Sequence, residues 1–115
     1  MFRFEDFNVW KRTVELTDKL FDLADQIEER MRFRFAEQLR GAVPSISNNI
    51  AEGSGSSSKH EFRQFLNYSH RSVFETANML MLCHRLNFIN SSEKAARINE
   101  LEEISKMMIG FSRSL

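Results

Sequence analysis

The chain has 115 residues, of which 42% are hydrophobic and 28% charged, and its 16 Lys plus Arg balance 16 Asp plus Glu. That composition fits a single domain over 1–115. Its longest apolar run, Met79 to Cys83, falls far short of the roughly 20 residues of a bilayer span, and acidic residues stand where a signal peptide needs an apolar core. No membrane association is expected, and one cysteine, Cys83, excludes an intramolecular disulfide framework and cysteine-ligated zinc, which suits a cytoplasmic location.

Helical spacing begins near the N-terminus, with Phe7, Trp10, Val14, Thr17, Phe21, Ala24 and Met31 in one stripe and Leu16, Leu20, Leu23 and Ile27 widening it. The pattern predicts a long first helix with Asp6 as its cap and Arg30 in its last turn. A second helix is expected over 33–52, where Phe35, Leu39, Ala42, Val43, Ile46 and Ile50 recur at three and four. Pro44 lies inside that pattern, removes a backbone donor and collides with the carbonyl four residues back, so a kink or boundary is expected near Val43.

Gly53 to Ser58 reads GSGSSS and is expected to be a flexible connection that buries nothing. Ser58 and Glu61 match a capping box that opens a third helix. Phe62, Phe65, Leu66, Ser69, Val73, Ala77, Leu80 and Cys83 form its apolar face, running to Leu86 or Phe88. Asn90, Ser91 and Ser92 mark the next turn, and Ile98, Leu101, Ile104, Met108, Phe111 and Leu115 repeat along a fourth helix preceded by a serine cap. Four helices on short links predict an all-α fold, an antiparallel up-and-down four-helix bundle. With 4 glycines and 1 proline, and no sustained two-residue alternation, a sheet-rich fold is excluded.

The chemistry-bearing residues are few. GSGSSSK over 53–59 lacks both the GxxxxGK[ST] spacing and the preceding strand of a phosphate-binding loop. Three positions before His60, His70 and His84 stand Ser57, Asn67 and Met81, so the Glu-x-x-His pairs of a di-metal bundle are absent. Cys83 and His84 are adjacent, so on a helix their side chains diverge by about 100° and do not form a nucleophile–base pair. No catalytic residue, metal, cofactor or small-molecule substrate is expected, and the protein reads as non-enzymatic.

Charge is uneven along the chain. Residues 1–31 carry 5 basic and 8 acidic side chains, 32–85 carry 7 and 4, and 86–115 carry 4 and 4. Arg30, Arg32 and Arg34 alternate with Met31, Phe33 and Phe35, a pattern that presents guanidiniums and aromatic faces to a nucleic-acid strand. The alternative is a solvated turn whose phenylalanines fold back onto helix ends. Lys59, Arg63, His70 and Arg71 form a second weak basic strip. Ser45, Asn48, Asn49 and Glu52 form an unusual polar cluster for a helix interior, with Ser69, Ser72, Glu75 and Thr76 as complementary groups, and the favoured reading is a polar interhelical network.

At this cluster the sequence resembles a known family. SISNNIAEG, residues 45–53, is similar to the SIPSNIAEG-type signature of the four-helix bundle or S23 ribosomal proteins, encoded in intervening sequences of some bacterial 23S rRNA genes. FEDFNVWK over 4–11 resembles the family's opening, Gln38 to Ala42 its QLRRA, EFRQFL over 61–66 its third-helix start, and Arg71 to Glu75 its GSxxE. Several features depart from that pattern. Ser47 stands where relatives carry proline, Gly41 replaces an arginine, Ser54 to Ser58 lack the arginine that often follows the motif, and a shortened first interhelical turn lacks the aromatic-proline segment of many relatives.

The resemblance implies a homopentameric bundle with no catalytic activity, and some similar proteins serve retroelements by associating with reverse transcriptase and nucleic acid. It assigns Ser45, Asn49, Ile50, Ala51, Glu52, Gly53 and Glu75 to structure. The expected function is binding of structured RNA or a ribonucleoprotein by a homo-oligomer, with Arg32, Arg34, Arg40, Lys59, Arg63 and Arg71 on the phosphate backbone. The alternative is a protein-interaction scaffold docking through Phe2, Phe4 and Phe33.

Overall fold

The recurrence of apolar side chains every three to four residues closes into four helices, α1 (Asn8–Glu29), α2 (Phe33–Ser54), α3 (Lys59–Arg85) and α4 (Ser91–Ser114), preceded by a 3-10 turn over Arg3–Asp6. The computed structural model describes residues 1–115 and contains no strand, as the sequence predicts. α1 packs on α2, α2 on α3, α3 on α4 and α4 back on α1, while α1 and α3 stand diagonally opposite, as do α2 and α4. The bundle measures 44 × 23 × 22 Å.

In α1 the centre of the buried face is Val9, Thr13, Leu16, Leu20, Leu23, Ala24 and Ile27. The residues expected to widen the stripe are thus its middle, Phe7, Trp10, Val14 and Thr17 are its half-buried margin, and Phe21 and Met31 are exposed. Two adjacent stripes both fit a 3.6-residue period, and packing against α2 and α4 selects between them. Asp6 does not cap α1. It is the last residue of the 3-10 turn, and Phe7 occupies the N-cap with no side-chain hydrogen bond.

Of the kink or boundary expected near Val43, the boundary is absent. α2 runs without interruption through Pro44. An interior proline costs about 3 kcal/mol, and Ala36, Leu39, Ala42, Val43, Ile46 and Ile50, buried against the helices on both sides, offset it. The GSGSSS stretch also differs from expectation. Gly53 is buried inside α2, and a Cβ built there would lie 2.7 Å from Phe65 Cβ and 2.9 Å from Phe62 Cδ1. The glycine is therefore what lets α2 and α3 touch, and the connection shrinks to 55–58.

Ser58 Oγ accepts from the Glu61 amide at 3.1 Å and starts α3 as expected. The cap of α4 is Asn90 rather than a serine, its Oδ1 accepting from the Glu93 amide at 2.8 Å. Only Leu101, Ile104 and Met108 of α4 are buried, the fewest in any of the four helices. Arg12 pairs with Glu103, and Lys19 with Glu100 at 3.3 Å, two surface contacts that clasp α4 to α1 beside the packing of Phe7 on Phe111 at 4.7 Å.

Candidate nucleic-acid interface

In an up-and-down bundle the first and third connections lie at one end. Both close by the same device, a left-handed residue after the helix. Met31 has φ 66° and Asn87 has φ 64°. After α1 the Arg32 amide donates to the Ile27 carbonyl (3.3 Å) and the Met31 amide to Glu28 (2.8 Å). After α3 the Phe88 amide donates to Cys83 (2.9 Å) and the Asn87 amide to His84 (3.1 Å). These are two Schellman closures.

Arg30 ties them together. Its Nη1 donates to the Asn87 carbonyl at 3.1 Å and its guanidinium sits 4.5 Å from the Phe88 ring centroid, while Phe35 packs on Phe88 at 6.2 Å. The tight reversal leaves the remaining side chains pointing outward: Met31 is 72% exposed, Phe33 50% and Leu86 49%. Arg32 and Arg34 are exposed beside Met31 and Phe33, Arg85 is exposed in the last turn of α3 at the same end, and none of the three has a carboxylate partner. Of the two readings of this turn, Met31 and Phe33 follow the exposed one, and Phe35 alone folds back.

The other residues expected to contact phosphate do not join this cluster. Lys59 and Arg63 begin α3, at the opposite end from Arg85, which 27 residues of helix place about 40 Å away. Arg63 donates to the carbonyls of Ser112 (3.3 Å) and Leu115 (2.7 Å) and so braces the end of α4. Arg71 is mid-helix, lining a polar cleft with Asn49, Tyr68, Ser72 and Glu75.

Arg40 is spoken for. It bonds Asp25 at 2.6 Å, Glu37 at 2.6 Å and Glu28 at 3.2 Å, and these hydrogen bonds, that with Asp25 foremost, hold its guanidinium pKa above the ordinary value. Three carboxylates around one cation leave it no net positive charge to offer a phosphate. Phe2, Phe4 and Phe33, the alternative docking set, also fail to converge. Phe2 and Phe4 stack at the N-terminal end, with Phe4 5.2 Å from Trp10, while Phe33 is at the turn end.

The polar cluster divides in two. Ser45 Oγ donates to Ser72 Oγ at 2.6 Å, Ser69 Oγ to the Ile46 carbonyl at 2.6 Å, and Asn49 Nδ2 to the Ser45 carbonyl at 2.8 Å, with Ile50 and Gly53 buried beneath. This part is the expected network along the α2–α3 seam. Asn48, Glu52 and Glu75 are exposed on its rim with no hydrogen-bond partner in the chain. Cys83 is buried, and burial foremost pushes its thiol up to about 11, so at neutral pH it is a protonated core residue.

Arg85 and Leu86 were missed by the sequence reading. The signal was available in the topology, because a four-helix up-and-down order brings the 30–35 turn and the 86–90 turn to one end.

The family model for "23S rRNA-intervening sequence protein" matches residues 5–110. The chain belongs to the 23S rRNA-intervening sequence protein family. Among solved structures, a protein of unknown function from the S23 ribosomal protein family of Bacteroides thetaiotaomicron VPI-5482 superposes with a TM-score of 0.85 at 25% identity, over 90% of this chain and 97% of that one. A search of curated proteins finds no match. The family span runs from Glu5 to Gly110 and so takes in both turns and the α2–α3 seam. No helix of this S23-type bundle is long and apolar enough to cross a membrane.

Proposed function

We propose that the protein is a non-enzymatic, cytoplasmic homo-oligomer that binds structured RNA or a ribonucleoprotein through the turn end of each bundle. The observation that carries this reading is the pair of unpaired arginines Arg32 and Arg34 around exposed Phe33 and Met31, with a third, Arg85, exposed at the same end of the bundle. Guanidiniums neutralise backbone phosphates, and an exposed ring stacks on an unpaired base. Membership of a family named for an rRNA intervening sequence supports RNA as the polymer.

Zero net charge means that one such patch binds weakly. An oligomer repeats it, and linked contacts multiply affinity without any new chemistry. The test is a salt titration of RNA affinity for the wild type and for Arg32→Ala/Arg34→Ala. Each lost phosphate contact lowers the log–log salt slope by about 0.7–0.9 per subunit engaged. The double variant is expected to lower both affinity and slope, and an unchanged slope overturns the assignment.

A further inference from the structure

The polar cleft on the α2–α3 seam has a volume of about 370 Å³, within the range of ligand clefts, and is lined by Asn49 of α2 and by Tyr68, Arg71, Ser72 and Glu75 of α3. Hydrogen bonds fix its floor. Ser72 Oγ accepts from Ser45 Oγ at 2.6 Å and donates to the Tyr68 carbonyl at 3.2 Å, and Asn49 Nδ2 donates to the Ser45 carbonyl at 2.8 Å. Its walls are free to bind. Tyr68 is 48% exposed, and the Phe65 ring steadies it edge-on at 6.0 Å and 87°. Arg71 and Glu75 are exposed and have no ion-pair partner. They stand one turn apart without pairing, and the order Arg before Glu is the weaker one for a helix pair.

These walls select a ligand by charge and by hydrogen-bond pattern. Glu75, with Glu52 exposed on the same rim, repels a phosphate, and Arg71 repels a cation, so the cleft takes a neutral group. An aromatic platform beside a forked donor and a two-oxygen acceptor suits a planar base with acceptors on one edge and donors on the next. Guanine is that base: O6 and N7 accept from a guanidinium, while N1–H and the 2-amino group donate to a carboxylate. Adenine carries a donor where guanine has O6 and an acceptor where guanine has N1–H, so it meets both charged groups with the wrong polarity. Uracil offers the fork one acceptor and the carboxylate one donor, where guanine offers two of each.

We infer that this cleft reads one unpaired guanine of a bound RNA, with Tyr68 stacking on the ring, Arg71 holding O6 and N7, and Glu75 holding N1–H and the 2-amino group. The inference rests on the RNA reading above and adds a means of choosing sequence, because phosphate contacts position a strand without specifying it. Arg71 is then a base contact rather than a backbone contact, and Glu75, which bonds nothing in the fold, gains a role. The cleft has no second cation for the phosphates of a free nucleotide, which favours a base carried by a polymer. About 21 Å of helix separates Arg71 from Arg85, so a strand whose phosphates lie on the turn-end arginines reaches the cleft within several nucleotides.

The experiment measures the affinity of the full chain for an RNA hairpin whose adenine loop carries one guanine, and for the same hairpin with adenine, inosine or 7-deazaguanine at that position. A good bidentate contact discriminates by about 5- to 150-fold. The wild type is expected to prefer guanine to adenine by at least about fivefold, with inosine, which lacks the 2-amino group, and 7-deazaguanine, which lacks N7, in between. Glu75→Ala is expected to erase the difference between guanine and inosine, and Arg71→Ala that between guanine and 7-deazaguanine. The ratio is the readout, because each variant also changes the charge and so shifts all loops together. Both residues are exposed, thermal melts confirm folding, and the base analogues test the wild type without any substitution. Equal wild-type affinity for the guanine and adenine loops overturns this inference alone, as does either analogue difference that survives the loss of its residue. GMP that competes at the hairpin's own concentration overturns the strand as the source of the base. A wild type that binds none of the hairpins overturns the RNA reading as well.

Discussion

Two glycines inside α2 make opposite predictions for the same substitution. At Gly53 the added methyl meets Phe65 Cβ at 2.7 Å and the Phe62 ring at 2.9 Å. Phe65 Cβ is fixed to its backbone and cannot swing aside, so α2 and α3 must separate, and the seam carrying Ser45, Ser69 and Ser72 opens with them. Gly53→Ala is expected to destabilise the fold by about 1–3 kcal/mol. At Gly41 nothing lies within 4 Å of the added methyl and the backbone is helical. Gly41→Ala removes unfolded-chain entropy at no steric cost and is expected to stabilise by about 0.5–1 kcal/mol. Urea midpoints at constant m-value read both changes. Two stabilising shifts would mean that helix propensity rather than interhelical contact governs these sites.

Between elements, the clearest electrostatic device is the clasp of α1 to α4. The hydrogen bond from Arg12 foremost, and its charge next, hold the Glu103 carboxyl below its ordinary value of 4.5. A carboxyl whose folded pKa is depressed adds stability that is complete above its unfolded value and lost as pH falls through the folded one. The clasp therefore acts in full above pH 4.5 and fades below it. The two side chains are 35% and 47% exposed, so solvent screens the pair and the effect is small. Glu103→Gln is expected to flatten the fall in melting temperature between neutral pH and the range below 4.5. Parallel curves for wild type and variant would show that Arg12 does not hold this carboxylate in solution.

The elements were the most legible part of the chain. Apolar period and turn composition located all four helices, and Ser58 with Glu61 located the start of α3 because a capping hydroxyl acts on its own sequence neighbours. What was not legible depended on contacts far along the chain. Pro44 reads as a break until α1 and α3 press on both halves of α2. Gly53 reads as linker until Phe62 and Phe65 approach it. Arg40 reads as a free cation until Asp25 and Glu28, from a different helix, surround it. The turn-end arginines were half legible, Arg32 and Arg34 from local alternation with Phe33, and Arg85 only from topology.

Over the whole molecule, burial is not shared equally. α2 packs against two neighbours through Leu39, Val43, Ile46 and Ile50, all at or near zero exposure. α4 buries three side chains in 24 residues and leaves Ile109 in the α3–α4 groove exposed. Local opening draws on the region with least buried apolar surface. Native-state hydrogen exchange is therefore expected to rank α2 amides slowest, at the free energy of global unfolding, and α4 amides fastest among the four helices. Amides of α4 that exchange as slowly as those of α2 would show that the contacts of α4 carry more of the fold than its three buried side chains do.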